Sequence, residues 1–169
     1  MQDFVHLHVH TQYSLLDGQA SVSRLVDKAM KDGMKGIAVT DHGNMFGIKE
    51  FTNYVNKKNS GPKGEIKDLK KRIAGIESGE IECEDKEAEI ADCRAKMAEA
   101  ESKLFKPIVG CEMYVARRTM DKKEGKPDQS GYHLIVLAKN EKGYHNLIKL
   151  VSHAWTRGYY MRPRTDRSE

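Results

Sequence analysis

No run in this 169-residue sequence approaches the ~20 consecutive apolar residues that a membrane-spanning helix needs, so a membrane channel or anchor is not expected. No basic, apolar leader is visible either: Met1-Gln2-Asp3 leads straight into a strand-like run. Cysteine is scarce and odd in number. Cys83, Cys93 and Cys111 contain no C-x-x-C pair and leave one unpaired, which argues against a disulfide framework. A reducing, cytoplasmic setting is the expectation. Hydrophobic residues are also thin, at 38% against 32% charged, with a mean hydropathy of −0.69. Part of the chain therefore lies outside the main core. The formal charge of +4 permits an anionic partner without demanding one.

The polar excess is local. Residues 57–105 carry 11 Lys/Arg and 12 Asp/Glu, no histidine, and a single aromatic, Phe105. This segment has a net charge of −1, which leaves +5 for the remainder. Its apolar residues follow a heptad: Ile66, Leu69, Ile73 and Ile76, then Ile90, Cys93, Met97, Ala100 and Leu104. Two amphipathic helices joined by a polar turn containing Gly79 would form an antiparallel hairpin, introduced by the breaker cluster Ser60-Gly61-Pro62. A disordered charged linker is the alternative. The expected organisation is a body of residues 1–56 and 106–169, interrupted by an inserted charged hairpin at 57–105.

The body alternates strand and helix. Phe4 to His10 has period two, with Val5, Leu7 and Val9 on one face and His6, His8 and His10 on the other. Ser21 is placed to cap a helix whose face is Val22, Leu25, Val26, Ala29 and Met30, ended by Gly33. Gly36–Thr40 reads as a short strand. A helix from about Met45 to Val55 follows, with Phe46, Phe51, Tyr54 and Val55 as its apolar residues. Residues 107–115 and 132–138 read as two more strands, and Glu141 to Trp155 as a helix with Leu147, Ile148, Leu150 and Val151 inward. Strands spaced by helices predict parallel β/α units, an α/β fold. Four such strands suggest the first half of a barrel; a complete open sheet is the alternative.

Five of the seven histidines lie on or just after these strands, where active sites of parallel β/α folds gather. His8 and His10 share a face about 6.6 Å apart. Asp17 follows in a loop, Asp41-His42 ends the second strand, Glu112 sits in the third and His133 opens the fourth. A mixed histidine and carboxylate set suits Zn²⁺ or Mn²⁺, and several such ions 3.5–4 Å apart suit phosphoester cleavage through a metal-activated water. Taken singly, each residue has a plainer role: His-x-His is more often structural, His42 could cap a turn, Glu112 could be half of an ion pair, and His133 could be a satisfied core histidine. Joint occurrence favours metal binding. His6 lies deeper and is expected to be structural or to support the ligands. His145 and His153 lie on a helix facing away from the site. Arg117-Arg118, Lys122-Lys123 and Arg162-Pro163-Arg164 are basic loops, read as solvated surface that could touch a nucleic-acid backbone.

His8-Val9-His10-Thr11-Gln12-Tyr13-Ser14-Leu15-Leu16-Asp17-Gly18 resembles the opening motif of the PHP (polymerase and histidinol phosphatase) superfamily. Later motifs narrow the resemblance to the alpha subunits of bacterial replicative DNA polymerase III. They are Thr40 to Gly47, Lys106 to Glu112, His133 to Asn140, Gly143 to Leu147, and Gly158-Tyr159-Tyr160 to Pro163-Arg164-Thr165-Asp166. Together they cover the chain apart from the charged segment.

The resemblance implies a distorted seven-stranded β/α barrel holding up to three divalent ions, Zn²⁺ or Mn²⁺ with Mg²⁺ possible. His8, His10, Asp17, His42, Glu112 and His133 resemble its metal ligands; Asp41 and His6 would support them. The remaining ligands of the family, a further histidine and an Asp-x-His, are not in this sequence. The chain is therefore expected to be an N-terminal part of the domain within a longer DNA-directed DNA polymerase, a nucleotidyltransferase whose polymerase centre lies elsewhere. Implied partners are DNA, a proofreading subunit and, through the rest of the polypeptide, a sliding clamp. The domain itself would hydrolyse phosphoesters, as a 3′–5′ exonuclease or a pyrophosphatase, or else serve as a metal-stabilised scaffold. A free-standing small phosphatase is the remaining alternative, against which the missing ligands argue. A separated half barrel is expected to be marginally stable.

Overall fold

A computed structural model describes residues 4–129 and 131–169; the expectation stated for Met1–Asp3 lies outside them. The chain divides into two compact units, Met1–Asn53 with Pro107–Glu169, and Tyr54–Lys106.

In the first unit, α1 (Val22–Lys31) buries Val22, Val26 and Ala29 and lies against β1 (Gly36–Val39), every residue of which is buried. Ser21 occupies the N-cap, but its hydroxyl bonds no backbone amide there. The stop at Gly33 is a left-handed cap (φ 78°): Gly33 N donates to Met30 O at 3.0 Å and Met34 N to Ala29 O at 3.0 Å. β2 (Lys106–Ala116) is central, flanked by β1 and β3 (Gly131–Leu137), and the two-residue β4 (Arg164–Thr165) runs parallel to its far end. α5 (Lys126–Gln129) is a single turn between β2 and β3. α6 (Glu141–Thr156) buries Leu147, Val151 and Ala154 against Cys111 and Met113 of β2.

The structure departs from the sequence reading in several places. β2 and β3 are antiparallel, from Gly110↔Leu137 to Ala116↔Gly131, so the sheet is mixed rather than wholly parallel. The connection between them contains only one helical turn, too little to cover a sheet face as a parallel crossover does. Phe4–His10 is extended but is not a regular strand. It bends at Leu7-His8, and its bonds to β1 and the residue after it, Ala38 N to His6 O and Thr40 N to Val9 O, are two residues apart on one side and three on the other. Phe46 precedes α2 (Ile48–Lys58) and is 66% exposed, and Ile148 on α6 is 38% exposed rather than inward.

In the second unit, α3 (Ser60–Ser78) and α4 (Lys86–Ser102) pack on each other through buried Ile76, Cys93 and Ala100. Ser60-Gly61-Pro62 does not precede α3 but forms its first turn, where proline costs no hydrogen bond. The Asn59 amide donates to Phe105 O at 2.8 Å and accepts from Phe105 N at 2.9 Å, tying the start of α3 to the end of the segment. No helix among the described residues is long and apolar enough to cross a membrane. All three cysteines are free.

Candidate metal centre

The site is assembled on Asp41, a buried carboxylate at the end of β1. One of its oxygens accepts from Thr11 N at 2.6 Å and Ser14 Oγ at 2.8 Å, the other from Thr11 Oγ1 at 2.8 Å. These bonds fix the loop that follows the His-x-His pair. The turn then closes through Asp17 N and Gly18 N, both bonded to Ser14 O, and delivers Asp17 to the cluster. Gly18 is required there: a Cβ would sit 1.8 Å from Thr11 O. Upstream, Val9 N donates to Thr40 Oγ1 at 2.9 Å, which fastens the histidine segment to the end of β1. His42 is bridged in parallel to Glu112 by two backbone bonds, Glu112 N to Asp41 O and Gly43 N to Glu112 O. His133 is cross-strand to Tyr114, one diagonal step from Glu112 on the same face of the sheet.

These elements bring six side chains together. The side chain of Glu112, a residue only 1% exposed, is the hub. Its Oε2 lies 2.7 Å from His8 Nε2, 2.6 Å from His10 Nε2 and 3.5 Å from His42 Nδ1, and its Oε1 contacts His133 Nδ1. Asp17 Oδ2 lies 2.9 Å from His42 Nε2 and 3.3 Å from His10 Nδ1. Three overlapping triads result: His8, His10 and Glu112; His10, Asp17 and His42; and His42, Glu112 and His133.

Burial acts to raise the Glu112 carboxyl, but the hydrogen bonds from His8 and His10 and the charges of His42 and His133 outweigh it and hold the group below its ordinary value. Asp17 is lowered mainly by its hydrogen bond to His42, with the His42 and His10 charges assisting against desolvation. Both acids are thus carboxylates at neutral pH, as cation ligands must be. Burial pushes the neighbouring Cys111 thiol up to about 12, so it stays protonated.

The donors fit a bound cation on two counts. His42 Nδ1 is buried with no hydrogen-bond partner, although Glu112 Oε2 is within 3.5 Å. His8 Nε2 and His10 Nε2 stand 3.2 Å apart while meeting the same carboxylate oxygen, a convergence that lone pairs tolerate best around a positive charge. These histidines and carboxylates could hold metal ions.

His6 stands apart from the six. The bend at Leu7-His8 leaves it exposed, its ring edge-on to Phe4 at 4.7 Å, so its link to the site is its backbone bond to Ala38. His145 and His153 lie elsewhere on α6, and His153 is paired with Glu169 at 2.6 Å. The basic loops are less free than the sequence suggests. Arg118 forks onto buried Asp128, and Arg164 is buried against four backbone carbonyls, those of Gly158, Met120, Lys122 and Asp128. Sequence reasoning missed Tyr114, whose ring lies 5.0 Å from that of His133 and 6.1 Å from that of His42. Its signal was the strand period, since Tyr114 shares a face with Glu112. It also missed Thr11, Ser14 and Thr40, which carry no chemistry of their own and reveal themselves only through their bonds.

A family model for the PHP domain matches residues 6–169. DNA polymerase III subunit alpha of Borreliella burgdorferi is 39% identical over 167 residues, covering 98% of this chain and 11% of that protein. The same subunit of Treponema pallidum is 39% identical over 164 residues, covering 96% and 10%, and that of Aquifex aeolicus is 33% identical over 171 residues, covering 98% and 11%. The chain thus spans about a tenth of the length of the curated relatives it matches. With the match running from the first histidine pair through the last strand, this chain belongs to the PHP domain family.

Proposed function

We propose that this chain is the N-terminal part of the PHP domain of a bacterial replicative DNA polymerase III alpha subunit, a DNA-directed DNA polymerase acting in the cytoplasm. In that setting its partners are DNA and the other replicase subunits, including a proofreading subunit. The mixed sheet would be part of a distorted seven-stranded barrel; the exposed outer strand β3, with Tyr132 and Leu134 uncovered, supports a sheet that continues. Residues 57–105 would be an inserted charged hairpin.

The domain's own reaction is metal-dependent phosphoester hydrolysis, as a 3′–5′ exonuclease or a pyrophosphatase. The convergence of four imidazoles on Glu112, with Asp17 completing the cluster and His42 Nδ1 buried without a hydrogen bond, carries this reading. His8, His10, Asp17, His42, Glu112 and His133 would hold Zn²⁺ or Mn²⁺, with Mg²⁺ possible and up to three ions in the complete domain. Bound ions would supply an acidified water and positive charge against the phosphoryl oxygens. Glu112 offers one oxygen to His8, His10 and His42 and the other to His133, so it sets the spacing of the ligand set. Asp41 supports them by holding the Thr11–Ser14 turn, and Tyr114 lies parallel to the His42 ring and edge-on to that of His133.

The test is metal content and degradation of single-stranded DNA by the full-length polypeptide before and after His10→Ala. Loss of both metal and hydrolysis is expected. Metal retained in a wild-type protein that hydrolyses nothing, and that loses stability on chelation, would replace the enzyme by a scaffold.

A further inference from the structure

Beside the histidine cluster lies an open cleft of about 440 Å³, whose inner end is formed by Asp17, His42 and His133. A volume of this size suits a small organic ligand. Its outer wall is unlike its inner end. Trp155 and Tyr159 stack with ring centroids 5.6 Å apart and planes inclined by 19°, and both are exposed. The indole is fixed in place, because Trp155 Nε1 donates to Gly43 O at 2.7 Å. Leu16, 93% exposed, and Phe46 extend the apolar wall.

Arg162 lines the same cleft. Its Nη1 donates to Tyr114 OH at 2.9 Å, and its guanidinium lies 5.0 Å over the Tyr114 ring, which in turn touches His42 and His133. No carboxylate among the described residues pairs with it, in contrast to Arg118. The cleft therefore presents three features: a histidine and carboxylate cluster fit for cations, an oriented guanidinium without a counter-ion, and a preformed aromatic platform.

Inorganic pyrophosphate would use the first two and leave the platform wet. A nucleoside phosphoester uses all three. On the hydrolytic reading above, we infer that Trp155 and Tyr159 stack the terminal base of a single-stranded nucleic acid while Arg162 binds its phosphodiester, which makes the site selective for strand ends over base-free phosphoesters. Every base has a π face, so this selection is for the presence of a base rather than for its identity.

The test uses the full-length polypeptide and an oligonucleotide carrying 5-iodouracil at its 3′ end, irradiated in EDTA so that hydrolysis plays no part. Adducts are expected on Trp155 or Tyr159, reduced about tenfold by Tyr159→Leu, retained in Trp155→Phe, and competed by an unmodified strand but not by pyrophosphate. With Mn²⁺ added, wild type should favour a terminal nucleotide over a terminal abasic residue by about tenfold in kcat/KM, and Tyr159→Leu should erase that preference through KM. Adducts confined to other residues, or equal hydrolysis of the two ends, would overturn the inference while leaving the hydrolytic reading intact. Adducts on the platform without any hydrolysis would support the subsite and sink the nuclease.

Discussion

The two units handle charge in opposite ways. In the first, the charged groups that matter most are buried and each is held by several partners: Glu112 by four histidines, Asp41 by three donors, Arg164 by four carbonyls. In Tyr54–Lys106, charges are denser along the chain but sit on exposed helix faces as single pairs such as Lys96–Asp92 and Lys103–Glu99. Water competes for the second kind and not for the first, so the number of ion pairs says little about where electrostatics shape the molecule.

The largest effect should come from Asp41→Ala. It leaves three donors without an acceptor, and hydrogen bonds to a charged group contribute ~1.5–3 kcal/mol each without adding fully, so a loss of roughly 4 kcal/mol is expected in denaturant unfolding. A smaller loss would mean that the Thr11–Ser14 turn holds itself. Next is Ile76→Ala, which tests whether the helical unit rests on its thin apolar seam; about 3 kcal/mol should be lost, read as faster amide exchange in α3 and α4. The third is a pH effect. Asp128 is held below its ordinary value of 3.8, first by its hydrogen bond from Arg118. A folded pKa that is depressed contributes stability above the unfolded value and loses it as pH falls through the folded one. Asp128→Asn should therefore flatten the acid limb of the stability curve below about pH 4 and lower stability at pH 7. The mirror experiment, Arg72→Gln on the exposed Arg72–Glu89 pair, should leave the unfolding midpoint unchanged; a clear shift would dissolve the contrast between the units.

The candidate ligands were legible because their spacing follows strand geometry: alternate residues share a face, and ends of strands share an edge of the sheet. Thus His8, His10, Asp17, His42, Glu112 and His133 could be named from the chain and stand together in space. The direction of β3 was not legible. Its residues alternate in the same way whichever way the strand runs, and only the single helical turn of α5 before it betrays the short antiparallel return. The bend at Leu7-His8 was hidden for a related reason, since period two predicts faces and not the hydrogen-bond register. Arg162 and Arg164 read alike as basic tail residues. One lies over Tyr114 at the cleft and the other is buried, a difference set wholly by tertiary partners.

The Asn59 clasp has a bearing on how such a chain can change over generations. Residues 46 positions apart meet through one side-chain amide, so the polypeptide departs and returns at a single doorway. What lies between can be lengthened by helical turns, trimmed or exchanged with little disturbance of the threshold, provided the asparagine and the backbone it grips are kept.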